Sequence, residues 1–256
     1  MKKYLSVVIF LAAIIIGWQV VYQAGVFPEV SFPSLGKIGS ELIEGIKSGA
    51  LTKAALFSVT IILEGLIIGV ILTFIMCALS IAFKPVYTIY NTLIATFDTL
   101  PGIALMPLML VWIPNLNIVI IVLMIHGVLW PMSRSVLDGY NSTPKIYTEI
   151  GQNIGLNGWG LIKGIYLPSS LPFIISGLKT GWARAWRALI SAEMIFGTIG
   201  GGLQGIGWFI HMERIKVNIA GIIASLLVIL LIGIIVEYGI FAQIEKRTIR
   251  KWGMVR

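Results

Sequence analysis

Residues 4–28 contain no Asp, Glu, Lys or Arg, and similar silent runs recur along the chain. Residues 54–83 are interrupted only by Glu64 and closed by Lys84-Pro85, 99–133 are uncharged throughout, and 217–241 are uncharged except for Glu237. A helix needs about 20 apolar residues to cross the hydrocarbon core of a bilayer, so these runs decide the class. Soluble domains carry about 25% charged residues; this chain of 256 has 12%, with 57% hydrophobic. Disorder and disulfide scaffolds are excluded as well, because both need a composition this chain lacks. Its one cysteine, Cys77, lies in an apolar run and reads as a small buried hydrophobe. The runs are continuously apolar rather than alternating with period two, so the spans are helices and not barrel strands.

The stretch 99–133 is too long for one helix, and Pro114-Asn115-Leu116-Asn117 places a turn in its middle. The sequence therefore predicts one all-α membrane domain of six transmembrane helices, at about 4–25, 54–83, 86–113, 118–134, 169–196 and 217–241. With both termini on one side, that side holds Lys2, Lys3, Lys84, Arg134, Lys145, Lys163, Lys246, Arg247, Arg250, Lys251 and Arg256. The opposite side holds only Lys37, Lys47, Lys53, Arg214 and Lys216. The basic excess predicts cytoplasmic termini. The net charge of +8 thus reads as topology, and no nucleic-acid partner is expected from it.

Two segments outside the spans carry information. Leu35, Ile38, Leu42 and Ile46 recur at helical spacing, predicting an amphipathic outer helix over 34–48. The second is the cytoplasmic loop 134–168, far longer than the other connections, as functional loops tend to be. Thr143-Pro144 is a helix start, with Thr as cap. Ile146, Ile150 and Ile154 form one apolar stripe, Gly155 falls where a left-handed terminating residue belongs, and 159–166 form a second short helix. A short exposed helix, a glycine turn and a second helix make a docking element.

Glu149-Ile150-Gly151, then Gly155, Ile165, Leu167 and Pro168, resembles the EAA loop of ATP-binding-cassette (ABC) importer permeases, whose pattern is E-A-A-x3-G-x9-I-x-L-P. Ile150 and Gly151 stand where that pattern has alanines. Phe32-Pro33-Ser34, the run from Leu100-Pro101-Gly102 to Pro107-Leu108, Trp186 with Ala192-Glu193-Met194, Gly205-Ile206-Gly207-Trp208, and Ile244-Glu245-Lys246-Arg247 with Trp252 look like the nitrate/sulfonate/taurine branch. The resemblance implies a type I ABC importer permease fold and a homodimer in the cell (inner) membrane. It implies an extracytoplasmic solute-binding protein and two cytoplasmic ABC ATPase subunits that hold the ATP and Mg. The solute expected is nitrate, a sulfonate, taurine or similar; a pyrimidine or vitamin precursor is the alternative, and a secondary transporter without an ATPase the less favoured one. Similar permeases place a basic residue at position 98, and Asp98 departs from that.

No G-x-x-x-x-G-K-[ST] run occurs, so ATP hydrolysis needs a partner chain. No catalytic residue, metal site or cofactor on this chain is expected, since H-E-x-x-H, G-x-S-x-G and clustered His or Cys are absent from the sequence. A literal G-x-G-x-x-G at 200–205 follows no predicted strand and carries no nucleotide reading. The apolar stripe with Gly151, Ile154 and Gly155 is the expected ATPase-coupling surface, and Glu149 a charged contact or cap in it. Lys179, Trp186 and Glu193 are spaced by seven and share one helical face with Trp182 nearby, so they and Asp98 are the candidate substrate pathway. Arg184 and Arg187 lie on other faces and are expected to pair with Asp98 or Glu64. His126 reads as a packing residue, and Gly65 and Gly69 as a helix-packing pattern, within the subunit or at a dimer face.

Overall fold

The computed structural model describes residues 2–197 and 204–249, and every element among them is helical. Helix α1 (Lys2–Gln23) carries an uncharged, mostly apolar stretch from Leu5 to Gln23, and none of its membrane-length window is buried by the rest of the chain. It is anchored at its far end, where Trp18 Nε1 donates to the Pro33 carbonyl at 3.0 Å and its ring stacks on Phe32 at 4.0 Å. Helix α2 (Leu35–Lys47) follows as the apolar spacing predicts, capped by the Ser34 hydroxyl, which accepts from Lys37 N at 3.1 Å, with Ile38 buried.

Helices α3 (Ala50–Ala82), α6 (Leu116–Asn141) and α9 (Leu167–Phe196) build the core. Apolar faces in lipid gain little by merely meeting each other, so association depends on close packing at small residues. Gly65 and Gly69 are spent this way within the chain. A Cβ at Gly65 would collide with Met124 of α6, and one at Gly69 would lie 3.0 Å from Val128 Cβ. Residue numbers rise together along this contact, so α3 and α6 are parallel. Against α9 the order reverses: Gly139 faces Phe173, and Gly127 faces Ala185. The molecule therefore has one end bearing α2 and the start of α3, and an opposite end where α3 and α6 finish and α9 begins.

Parallel α3 and α6 require the chain between them to cross back, and it does so in two pieces. Helices α4 (Lys84–Phe97) and α5 (Gly102–Trp112) meet at a bend of 104°. The single span expected at 86–113 is thus a broken one. Pro101 has no N–H for the helix ladder and pushes Leu100 away from helical geometry, whereas Pro107 sits inside α5 without ending it. Polar bonds fasten α4 to α6: the Tyr90 and Ser133 hydroxyls lie 2.6 Å apart, and Asn141 Nδ2 donates to Tyr87 at 2.9 Å.

The fourth span also differs from expectation, because α6 continues past Arg134 to Asn141. Arg134 is exposed, pairs with Asp98 and does not mark a helix end, so the connection expected from 134 starts only at Ser142. It contains α7 (Lys145–Asn153) and α8 (Gly158–Leu161), which runs through a π-helical stretch, Ile162–Tyr166, into α9. Helix α10 (Ile206–Ile215) packs beside α9. Then α11 (Ile219–Ile234), a π-helical segment Ile235–Phe241 and α12 (Ala242–Arg247) form the last crossing. Among the described residues, five helices are long and apolar enough to cross a membrane, six if the bent α4–α5 pair is one span. Of the glycine motif at 200–205, residues 200–203 lie outside the described residues, as does Trp252.

Candidate functional site

At the end of the bundle where α9 begins, α7 presents its apolar stripe outward. Ile146, Tyr147 and Ile150 are about half exposed, and Ile154 is 72% exposed. Glycine chemistry holds this helix. Leu156 N donates to the Gly151 carbonyl and Gly155 N to the Gln152 carbonyl, both at 2.9 Å, which is the Schellman arrangement. It requires a left-handed residue at position 155, and Gly155 has φ +85°. Gly151 acts differently. It is buried, and a Cβ there would collide with Ile165 and approach Leu161 Cδ2 to 3.0 Å. Glycine at this place lets α7 lie directly on the stretch leading into α9. The spacing had pointed to Gly155; the close approach at Gly151 is a tertiary fact. Thr143 does not cap α7 as expected, since its hydroxyl is engaged with Ser169 Oγ at 2.7 Å and α7 begins at Lys145. Glu149 is exposed and caps nothing, Leu167 is half exposed, and Pro168 stands in the first turn of α9.

Inside the bundle four of the five expected pathway residues fall into three groups. Trp182 and Trp186 are buried in the core with rings stacked at 5.9 Å. Glu193 has no exposed surface: Ser58 Oγ lies 2.7 and 2.9 Å from its two oxygens, and Gly207 N donates to it at 2.8 Å. The same Ser58 oxygen accepts from Ile206 N at 2.9 Å, tying α3, α9 and α10 into one knot. Lys179 bridges to Glu237 at 3.0 Å and Glu245 at 2.6 Å on the last crossing, with Phe241 beneath its ammonium at 5.7 Å. The shared face inferred from the spacing of seven exists on α9, but it faces neighbouring helices and not a cavity. Nothing local to α9 distinguishes those two cases.

The cavity lies on another face, beside the α4–α5 break, and holds about 400 Å³. Of the five expected pathway residues only Asp98 lines it. Asp98 ends α4, and its carboxylate is shared: Arg184 of α9 donates to one oxygen, and Arg134 Nε of α6 to the other at 3.3 Å. Arg184 also donates to the Asp98 carbonyl at 3.2 Å. The expected Arg184–Asp98 pair is therefore present, while Glu64 is exposed on α3 and Arg187 opens on the cavity. His126 and Trp130 line the same space with His126 Nε2 and Trp130 Nε1 buried and without a hydrogen-bond partner. Reading His126 as a satisfied packing residue missed this, since a lone histidine in an apolar run gives no sign of what it faces.

The family model for binding-protein-dependent transport system inner membrane components matches residues 65–250, well over half of the chain. The chain belongs to that family. Its all-helical, multi-span architecture is accordingly the type I ABC permease fold, and it is a multi-pass membrane transport component. It is 28% identical over 162 residues to the taurine transport system permease protein of Escherichia coli, covering 62% of this chain and 56% of that one. It is 24% identical over 154 residues to the nitrate import permease protein of a Synechocystis strain, covering 60% and 54%. It is 30% identical over 145 residues to the bicarbonate transport system permease protein of the same organism, covering 54% and 50%. These three matches span about half the length of each relative.

Proposed function

We propose that the chain is the permease subunit of an ATP-binding-cassette importer that takes a small solute from an extracytoplasmic binding protein and moves it inward by alternating access. Two copies pair in the cell membrane with both termini cytoplasmic, surrounded by lipid, and two cytoplasmic ATPase subunits hold the ATP and Mg. The observation that carries this reading is the α7 surface. A short helix is fixed to the start of α9 at Gly151, terminated at Gly155, and presents Ile146, Ile150 and Ile154 to an outside partner. An apolar helical stripe of this kind fits a groove. Closure of an ATPase dimer would push α7, and α9 would carry the displacement into the bundle. Nitrate, a sulfonate or the sulfonate end of taurine suits the cavity's arginines, and the names of the similar permeases support a small solute of that class.

Co-expression with a cassette ATPase and a solute-binding protein, followed by ATPase assay in lipid, tests the reading. Ligand-loaded binding protein should stimulate hydrolysis, and Ile150→Asp should abolish the stimulation while leaving the permease monodisperse. Full stimulation with Ile150→Asp, or no association with any cassette ATPase, would overturn it.

A further inference from the structure

The cavity beside the α4–α5 break is short of negative charge. Arg134 and Arg184 share the single carboxylate of Asp98, and Arg187, exposed on the cavity, has no ion-pair or hydrogen-bond partner among the described residues. Two cations, Arg184 and Arg187, line the cavity against the one anion, and Arg134, outside that lining, takes a further share of the same carboxylate. No second acid lines the space. Uncompensated charge within a membrane bundle is expensive and marks a ligand path. Further donors open here: the Trp130 indole N–H, buried and unanswered, and the amide end of α5 at Gly102 and Ile103, while His126 Nε2, also buried without a partner, takes either sense with its tautomer. About 400 Å³ falls in the lower part of the range for small-molecule sites.

We propose that this cavity binds a small oxyanion and that Asp98 is its resident counter-ion, displaced from Arg184 when the oxyanion enters. The inference rests on the permease reading and adds to it the site, the ligand chemistry and the switch. Arg187 supplies the first contact because it alone of the three arginines is unoccupied. Arg184 supplies the second on leaving Asp98. Asp98 can leave without being stranded, because Arg134 Nε already holds its other oxygen. The exchange matters for motion: Arg184–Asp98 ties the broken helix to α9, the helix that also receives the α7 connection. Occupancy by an anion would loosen that tie and free the α4–α5 bend. Asp98 is unsuited to receive a substrate cation, since both of its oxygens are already held by guanidinium groups.

The full chain in lipid nanodiscs, titrated with trifluoromethanesulfonate and followed by fluorine NMR line broadening, tests this directly. Methanesulfonate should compete and choline should not. Arg187→Gln should weaken binding about tenfold, the worth of one charge-assisted hydrogen bond. Asp98→Asn should tighten it by a similar factor, because the resident competitor is gone, and that gain should shrink in an Arg184→Gln background. Weaker or unchanged binding in Asp98→Asn, or competition by choline, would overturn the counter-ion role. Should Asp98→Asn fail to fold, Arg187→Gln carries the test alone, since it removes no contact of the fold; unchanged affinity there would overturn the site. The ATPase assay is a separate readout. Anion binding without ATPase coupling would leave this site standing and sink the permease reading, whereas coupling without anion binding would do the reverse.

Discussion

Glu193 and Asp98 are both carboxylates on bundle helices, and they are held in opposite ways. Glu193 is fully buried and meets only neutral donors, the Ser58 hydroxyl and the Gly207 amide. Asp98 retains 12% side-chain exposure, faces a cavity and meets two guanidinium groups. A carboxylate enclosed by fixed backbone and a short hydroxyl side chain has nowhere to go, and its environment leaves no room for an exchange partner. One shared between two long, partly exposed side chains can trade partners at little cost, because each arginine can reach water or a ligand. Acids at comparable positions in apolar runs can thus be a knot or a switch, and the neighbours decide which.

The comparison breaks most easily at the knot. Gly207→Val should be the most damaging change, costing about 3 kcal/mol, since even a Cβ there would lie 2.8 Å from Glu193 Cβ and collide with the Ile190 carbonyl. Thermal unfolding in detergent should show it as loss of the folded chain. Glu193→Ala should cost about 2 kcal/mol by leaving the Ser58 O–H and the Gly207 N–H buried without acceptors. If unfolding midpoints are unchanged while solute transport falls, Glu193 belongs with Asp98 and the distinction fails. Next comes Gly155→Ala, which forces a Cβ into φ +85° at about 1–2 kcal/mol. Its expected signature is weakened ATPase coupling with the transmembrane bundle intact. Smallest is Lys179→Gln. Its bridges to Glu237 and Glu245 are partly exposed, so the loss should stay within about 1 kcal/mol, and a larger drop would mean that the last crossing is held by charge and not by packing.

Much of the α7 surface was legible in sequence because its determinants are local. The stripe Ile146, Ile150, Ile154 follows from helical spacing, and the left-handed turn at Gly155 from the residue type that tolerates it. The cavity was not legible. Lys179, Trp186 and Glu193 do share a helical face, yet periodicity reports only which residues face alike and not what they face. The partners that separate their roles come from far along the chain: Ser58 is 135 residues from Glu193, and Asp98 is 86 from Arg184. The break at 98–101 was visible only as a proline in an apolar run, and Pro107, which does not break its helix, looked the same.

Sequence alone therefore determined that the chain lives in a membrane, that its spans are helices, where most of them fall, and which loop carries the exposed apolar stripe. Each of these follows from composition or from periodicity over a few turns. Tertiary structure decided which charges are structural and which remain answerable to a ligand. In a bundle of nearly uniform apolar faces, the position of one helix against another is set by where small residues such as Gly65, Gly127 and Gly151 permit contact, and that register fixes the partner of every buried charge.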